Sequence, residues 1–144
     1  MRVIALLAVL VAPAGLAAQD RHVIHTPYEV AGLPFSTAVR VGNLLFLSGQ
    51  IGNTPGTREL ADTGVTGQTR QALENIKGVL AAAGSTLERA VKCTVFLTDI
   101  RDYQAMNAVY ASYFPTDPPA RSTVAGSGLA FGARVEIECI ATVG

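Results

Sequence analysis

Residues able to do chemistry cluster near the C-terminus of this chain, on two predicted strands. Arg121 opens the first strand, which covers 122–126, and Glu136 and Glu138 lie on the second, which covers 134–143. A guanidinium binds anions and a carboxylate accepts protons, so these residues could form a polar site. The alternative is a solvated strand face with a surface arginine, because charged residues are mostly exposed.

The second strand alternates almost strictly between apolar and charged residues, which is typical of a half-buried strand. Successive side chains of a strand point to opposite faces, so each set shares a face. The apolar face carries Val135, Ile137, Cys139 and Ala141, and the charged face carries Arg134, Glu136 and Glu138.

The elements that must position these residues follow from hydrophobic periodicity and turn residues. Further strands are predicted at 20–26, 35–41, 44–51 and 90–98, with a Gly42-Asn43 turn between the second and third. One helix is predicted over 66–83 and ends at Gly84, and another over 103–113, capped by Asp99 and ended by Pro115.

The order of these elements predicts an α+β domain over 20–144, a two-layer fold with a mixed β-sheet and two helices on one face. The second face of the sheet then has no cover within the chain. Since an uncovered apolar sheet face is an association site, we expect a homo-oligomer.

Residues 1–18 are expected to be a signal peptide, because one basic residue, Arg2, precedes a short apolar run and a small-residue tail. Cleavage after Ala17 or Ala18 would leave a mature protein that is exported, periplasmic or secreted. No membrane contact is expected after cleavage, since no second apolar span follows.

Charge and cysteine usage limit the function further. Removing Arg2 from the 11 basic residues leaves 10 against 11 acidic residues, a net charge near −1, and no basic cluster that would bind nucleic acid. Cys93 and Cys139 fall on predicted strands, where they could form a disulfide or remain buried thiols. With His22 and His25 they show no metal-ligand spacing, so no metal site is expected.

Three further motifs do not indicate an active site. The run GSGLAFG at 126–132 opens a strand and not a helix, unlike a dinucleotide-binding loop. Ser48 does not lie in a nucleophile elbow, so a serine hydrolase is not predicted. The helical stripe that includes Tyr103, Tyr110 and Tyr113 is read as core.

Several segments together resemble the reactive intermediate deaminase (Rid) family, also called the YjgF family. They are LSGQI at 47–51, VKCTVFLTDIRDY at 91–103, PARSTV at 119–124 and RVEIECIA at 134–141, with the helix QALENIKGVLAAAG at 71–84. The resemblance implies a chorismate-mutase-like α+β fold, a homotrimer with clefts between subunits, and no cofactor.

The same resemblance implies hydrolysis of reactive enamines and 2-imino acids to 2-oxo acids and ammonia. Arg121 would hold the substrate carboxylate and Glu136 would activate water, so both are expected to converge on a hollow where copies meet. Ser48 and Asn107 would help to line the pocket.

Two substrate-binding positions depart from the family pattern. Phe35 stands where deaminase-type members carry a tyrosine, and Thr123 stands where such members often carry a cysteine. The alternative to an imine hydrolase is therefore a non-catalytic module that binds small carboxylates. A chaperone-like or ribonuclease role is a third possibility.

Overall fold

Residues 20–144 are the part of the chain that the computed structural model describes, and they form seven strands and two α-helices. The predicted signal peptide at residues 1–18 lies outside the described residues. In chain order the elements are β1 (Arg21–Ile24), β2 (Ala38–Val41), β3 (Leu44–Leu47), β4 (Gln50–Ile51), α1 (Val65–Ala82), β5 (Ala90–Leu97), α2 (Tyr103–Tyr113), β6 (Ala120–Ala125) and β7 (Val135–Thr142).

All seven strands belong to one mixed sheet with the order β1-β2-β3-β7-β5-β6, in which β4 also pairs with β7. The β5–β6 pair is parallel and the other pairs are antiparallel. Both helices pack on one face of this sheet, so the predicted two-layer α+β class is confirmed.

The core lies between that face and the helices. The predicted apolar stripe of α1 is buried, and it meets the apolar face of β7, on which Val135 and Ile137 are fully buried. Gly84 follows α1 with a φ of +74°, which a helix-ending residue needs and which glycine adopts without a steric penalty.

The predicted strand over 44–51 is interrupted at Ser48 and Gly49. The Ser48 amide donates to Thr37 O (2.9 Å) and its hydroxyl donates to Ser36 O (2.7 Å), so this residue turns away from β7. The register of β4 on β7 is consequently offset by one residue from that of β3. An extra residue in one strand is a β-bulge, and such bulges re-aim neighbouring side chains.

Two further boundaries differ from the prediction. The strand predicted over 35–41 begins only at Ala38, so Phe35 lies in the preceding loop. Asp99 caps a 3₁₀ turn, Ile100–Asp102, by accepting a hydrogen bond from the Arg101 amide (2.9 Å). The second helix starts after that turn.

The two cysteines form a disulfide between directly opposed residues of β5 and β7. The Cα atoms of Cys93 and Cys139 are 4.1 Å apart, and both side chains are buried under the helices. Of the two alternatives, a disulfide or buried thiols, the structure therefore has the disulfide.

Candidate active site

Arg121 lies on β6 and points toward α2, where three side chains surround its guanidinium. Its Nη2 donates to Asn107 Oδ1 (2.7 Å) and to the Tyr103 hydroxyl (3.1 Å). The guanidinium carbon also lies 4.5 Å from the ring centroid of Tyr110, within the range of a cation–π contact. We call Tyr103, Asn107, Tyr110 and Arg121 the arginine cluster.

The family resemblance predicted Arg121 and Asn107 for the same pocket, and helical spacing assigned the tyrosines to the core. Tyr110 is indeed buried, and burial raises the pKa of its hydroxyl to about 12, so it stays neutral. Tyr103 and Tyr110 nevertheless both contact the guanidinium. The spacing of 103, 107 and 110 places them on one face of a helix, which could have indicated this cluster.

Thr123 lies on the same face of β6 as Arg121, two residues further on. Its hydroxyl and that of Tyr110 are buried and have no hydrogen-bond partner among residues 20–144. Neither oxygen is exposed to solvent in the single chain. The substrate-binding role of Thr123 stays a prediction.

Glu136 lies on β7 at the edge of a cleft of about 170 Å³. The cleft is walled by the loop before β2, by the β3–β4 break and by the 3₁₀ turn at Ala130–Gly132. Its lining includes Val30, Leu33, Phe35, Gly49, Ile51, Phe131 and Glu136. We call this the glutamate cleft.

The Glu136 carboxylate is half-buried, and no group among the described residues donates a hydrogen bond to it. Burial, and secondarily the charge of Glu138, raises its pKa above the ordinary value. Its position depends on Gly49, because a Cβ built on that glycine would collide with the carboxylate. A carboxylate in this setting is suited to accept a proton from water.

The remaining predicted residues occupy different positions around this cleft. Phe35 lines it directly, and its role in substrate binding stays a prediction. Ser48 does not line it, since its hydroxyl donates to Ser36 O, and it acts here by setting the backbone of Gly49. Phe131 also lines the cleft and was not predicted from the sequence. Its backbone has a φ of 55°, and the pattern of side chains along the sequence does not indicate such a conformation.

Arg121 and Glu136 lie on opposite faces of the sheet. On the helix face, Arg121 of β6 lies opposite Cys93 of β5, and Cys93 lies opposite Cys139 of β7. On the other face, Glu136 of β7 lies opposite Phe96 of β5. Strand spacing and rise place their Cα atoms about 14 Å apart. One copy of the chain therefore does not bring the two groups together.

Nothing in residues 20–144 indicates a metal site or a membrane span. No group of three or more metal-ligating side chains is clustered there, and neither helix of that region is long and apolar enough to cross a bilayer.

Fold and site together define a two-layer α+β domain with the arginine cluster on one sheet face and the glutamate cleft on the other. The family described as Endoribonuclease L-PSP matches residues 25–143. The chain belongs to this family, the Rid or YjgF family, as the sequence motifs predicted.

Similar proteins carry names that describe deaminases. The chain is 42% identical over 125 residues to the 2-iminobutanoate/2-iminopropanoate deaminase of Capra hircus, covering 86% of this chain and 91% of that protein. It is 41% identical over 124 residues to the chloroplastic Reactive Intermediate Deaminase A of Arabidopsis thaliana, covering 85% of this chain and 66% of that protein.

Solved structures share the fold. The structure of E. coli TdcF with bound serine superimposes with a TM-score of 0.79 at 35% identity, covering 85% of this chain and 99% of that chain.

Proposed function

We propose that this protein hydrolyses 2-imino acids, and the enamines in equilibrium with them, to 2-oxo acids and ammonia. The observation that carries the proposal is the half-buried Glu136 carboxylate at the cleft. No residue within 20–144 donates a hydrogen bond to this carboxylate. The names of the goat and Arabidopsis relatives support the same reaction.

The reaction consumes one water. Glu136 accepts a proton from that water as the water oxygen bonds to the imine carbon, and it passes this proton to the imine nitrogen, giving a carbinolamine. Glu136 then accepts the hydroxyl proton of the carbinolamine and passes it to the amino nitrogen as the C–N bond breaks, so the nitrogen leaves as ammonia and the other product is a 2-oxo acid. A raised pKa helps Glu136 both to accept and to return a proton near neutral pH.

The substrate carboxylate needs an anion clamp, and Arg121 supplies one whose orientation Asn107 and Tyr103 hold. Since Arg121 and Glu136 of one copy lie on opposite faces, we propose that Arg121 of one copy meets Glu136 of a neighbour. The sheet face without helices supports this assembly, because it exposes Phe46 and Val124. A homotrimer joined through that face would create three such clefts.

The reaction is tested by generating 2-iminobutanoate with an amino-acid oxidase and following its decay. We expect the purified protein to accelerate decay, and Arg121→Ala and Glu136→Gln each to abolish that acceleration. Arg40→Ala is the control, because Arg40 is an exposed arginine whose side chain has one hydrogen bond within residues 20–144, to Gly42 O. No acceleration by the unmodified protein, or full activity in either site variant, would reject the proposal.

The second candidate is a module that binds small carboxylates without turnover. Phe35 favours it, because this cleft residue lacks the hydroxyl that the family pattern provides. In that case ligand binding would require Arg121 and be unaffected by Glu136→Gln.

RNA cleavage is not proposed, since the chain is nearly neutral and has no basic cluster to bind phosphates. Filter binding of RNA at low salt tests whether the protein binds RNA at all.

We further propose that the mature protein is exported. The disulfide supports this, since disulfides persist mainly in oxidising compartments. Full-length protein made in a Gram-negative host should appear in the periplasm, cleaved after Ala17 or Ala18 and without titratable thiols. Uncleaved protein in the cytoplasm would contradict the proposal.

A further inference from the structure

Two phenylalanine rings face the glutamate cleft from opposite loops. Phe35 is 60% exposed and Phe131 is 46% exposed, and both line the cleft that Glu136 borders. Single exposed apolar side chains are ordinary, but two aromatic rings on one concave site form an apolar ligand-binding surface.

The ring of Phe131 is held at this place against its backbone preference. Its φ of 55° and ψ of 21° lie in the left-handed region, which bulky residues rarely adopt. The Arg58 guanidinium carbon lies 5.7 Å from the ring centroid, and its Nη2 donates to Ala31 O (3.4 Å) in the loop that carries Phe35. Arg58 thus bridges the two walls.

The cleft has room for a ring-sized group. Its volume is about 170 Å³, and an apolar cavity of about 150 Å³ accommodates benzene in another protein. The cleft lining also includes the apolar side chains of Val30, Leu33 and Ile51, so the two rings are not the whole of its apolar surface. A methyl or ethyl group would leave most of this surface uncovered.

We propose that the glutamate cleft selects 2-imino acids with aromatic or large branched aliphatic side chains over those with methyl or ethyl side chains. The side chain lies between Phe35 and Phe131, and the imine carbon lies next to Glu136. Selectivity in turnover rests on the proposed function, because it requires that the protein hydrolyse 2-imino acids. The preference of the cleft for binding large apolar groups rests on Phe35 and Phe131.

The test compares kcat/KM for the imines that an amino-acid oxidase makes from phenylalanine, leucine and alanine. We expect the phenylalanine and leucine imines to be favoured by at least about tenfold over the alanine imine. Phe35→Ala and Phe131→Ala should each bring this ratio toward one. Ile100→Ala, which removes an exposed apolar side chain outside the cleft lining, should leave the ratio unchanged.

A second measurement separates this inference from the reaction itself. Calorimetry with phenylpyruvate and pyruvate reports the preference of the cleft without turnover, and phenylpyruvate should bind at least about tenfold more tightly in a Phe131-dependent way. Turnover of all imines at equal efficiency, unchanged in both phenylalanine variants, would overturn the inference and leave the proposed reaction standing. Selective phenylpyruvate binding without any imine hydrolysis would reject the reaction and support the selectivity.

Discussion

Arg121 is fixed from two directions by α2. Asn107 and Tyr103 accept hydrogen bonds from one nitrogen of the guanidinium, and the Tyr110 ring lies against it. The other guanidinium nitrogens have no hydrogen-bond acceptor within residues 20–144. A guanidinium that is already held in one orientation loses little freedom when it binds an anion. Such preorganisation of binding groups accounts for much of the rate increase at enzyme active sites.

Tyr103→Phe should test this positioning role, because it removes the hydroxyl and keeps the ring. Loss of one hydrogen bond of about 1 kcal/mol predicts about a fivefold fall in kcat/KM, expressed mainly as a higher KM. Tyr113→Phe is the matched control, since the Tyr113 hydroxyl donates to Glu74 on α1. An equal fall in both variants would show that the effect comes from the helix and not from the arginine.

The pH profile should depend on both strand glutamates. Burial and the Glu138 charge raise the pKa of Glu136 above its ordinary 4.5, and the proposed reaction uses the deprotonated form. kcat/KM should therefore fall as pH drops through that raised value. Glu138→Gln removes a like charge, so the acid limb should move to lower pH while activity at neutral pH is kept. An acid limb that stays in place would contradict this account of the pKa.

At the scale of single residues, the sequence indicates the charged groups but not their surroundings. Arg121 and Glu136 could be predicted as site residues because the motifs that carry them are specific when both are present, whereas Asn107 lies in no such motif. Tyr103 could not, because a tyrosine at helical spacing is usually core. The site of Phe131 depends on a left-handed backbone inside a glycine-rich run, and no periodicity reports such a conformation.

Among the elements, the break between β3 and β4 matters most for the site. Gly49 in the break lies against the Glu136 carboxylate, and Gly52 after it lies against the backbone of Gln68 in α1. The run LLFLSGQI predicts one uninterrupted strand, because its apolar character hides the turn at Ser48. The strand divides where two long-range contacts require it. The Ser48 hydroxyl bonds to the Ser36 carbonyl, and Gln50 and Ile51 pair with β7.

Alanine at each of these glycines should separate function from stability. Gly49→Ala should displace the carboxylate, which is the end of a flexible side chain, and lower kcat/KM more than tenfold with little loss of stability. Gly52→Ala meets rigid backbone, so the free energy of unfolding should fall by about 1–3 kcal/mol. Urea denaturation and imine hydrolysis measured on both variants check the pair. A Gly49→Ala protein with full activity would show that the carboxylate position is not critical.

For the molecule as a whole, the two-layer fold followed from the order of strands and helices. The sequence also indicated that one sheet face lacks a cover, and the exposed Phe46 and Val124 lie on that face. The separation of Arg121 from Glu136 was not predictable in the same way. It depends on the register of β5 with β6 and with β7, which alternation within one strand does not specify.

Mixing two inactive variants should test the shared site. Arg121→Ala and Glu136→Gln proteins, co-expressed or refolded together, should regain about a quarter of normal activity, since random assembly of cyclic oligomers pairs both intact residues in one cleft out of four. Each variant refolded alone is the control. Mixtures as inactive as their components would show that every copy uses its own two residues.

The strand register has a consequence for how the activity depends on concentration. If the two reacting groups belong to different copies, a lone subunit has half of a site and no turnover. Specific activity should then decline on dilution below the dissociation constant of the assembly, and the protein would be switched on by its own accumulation.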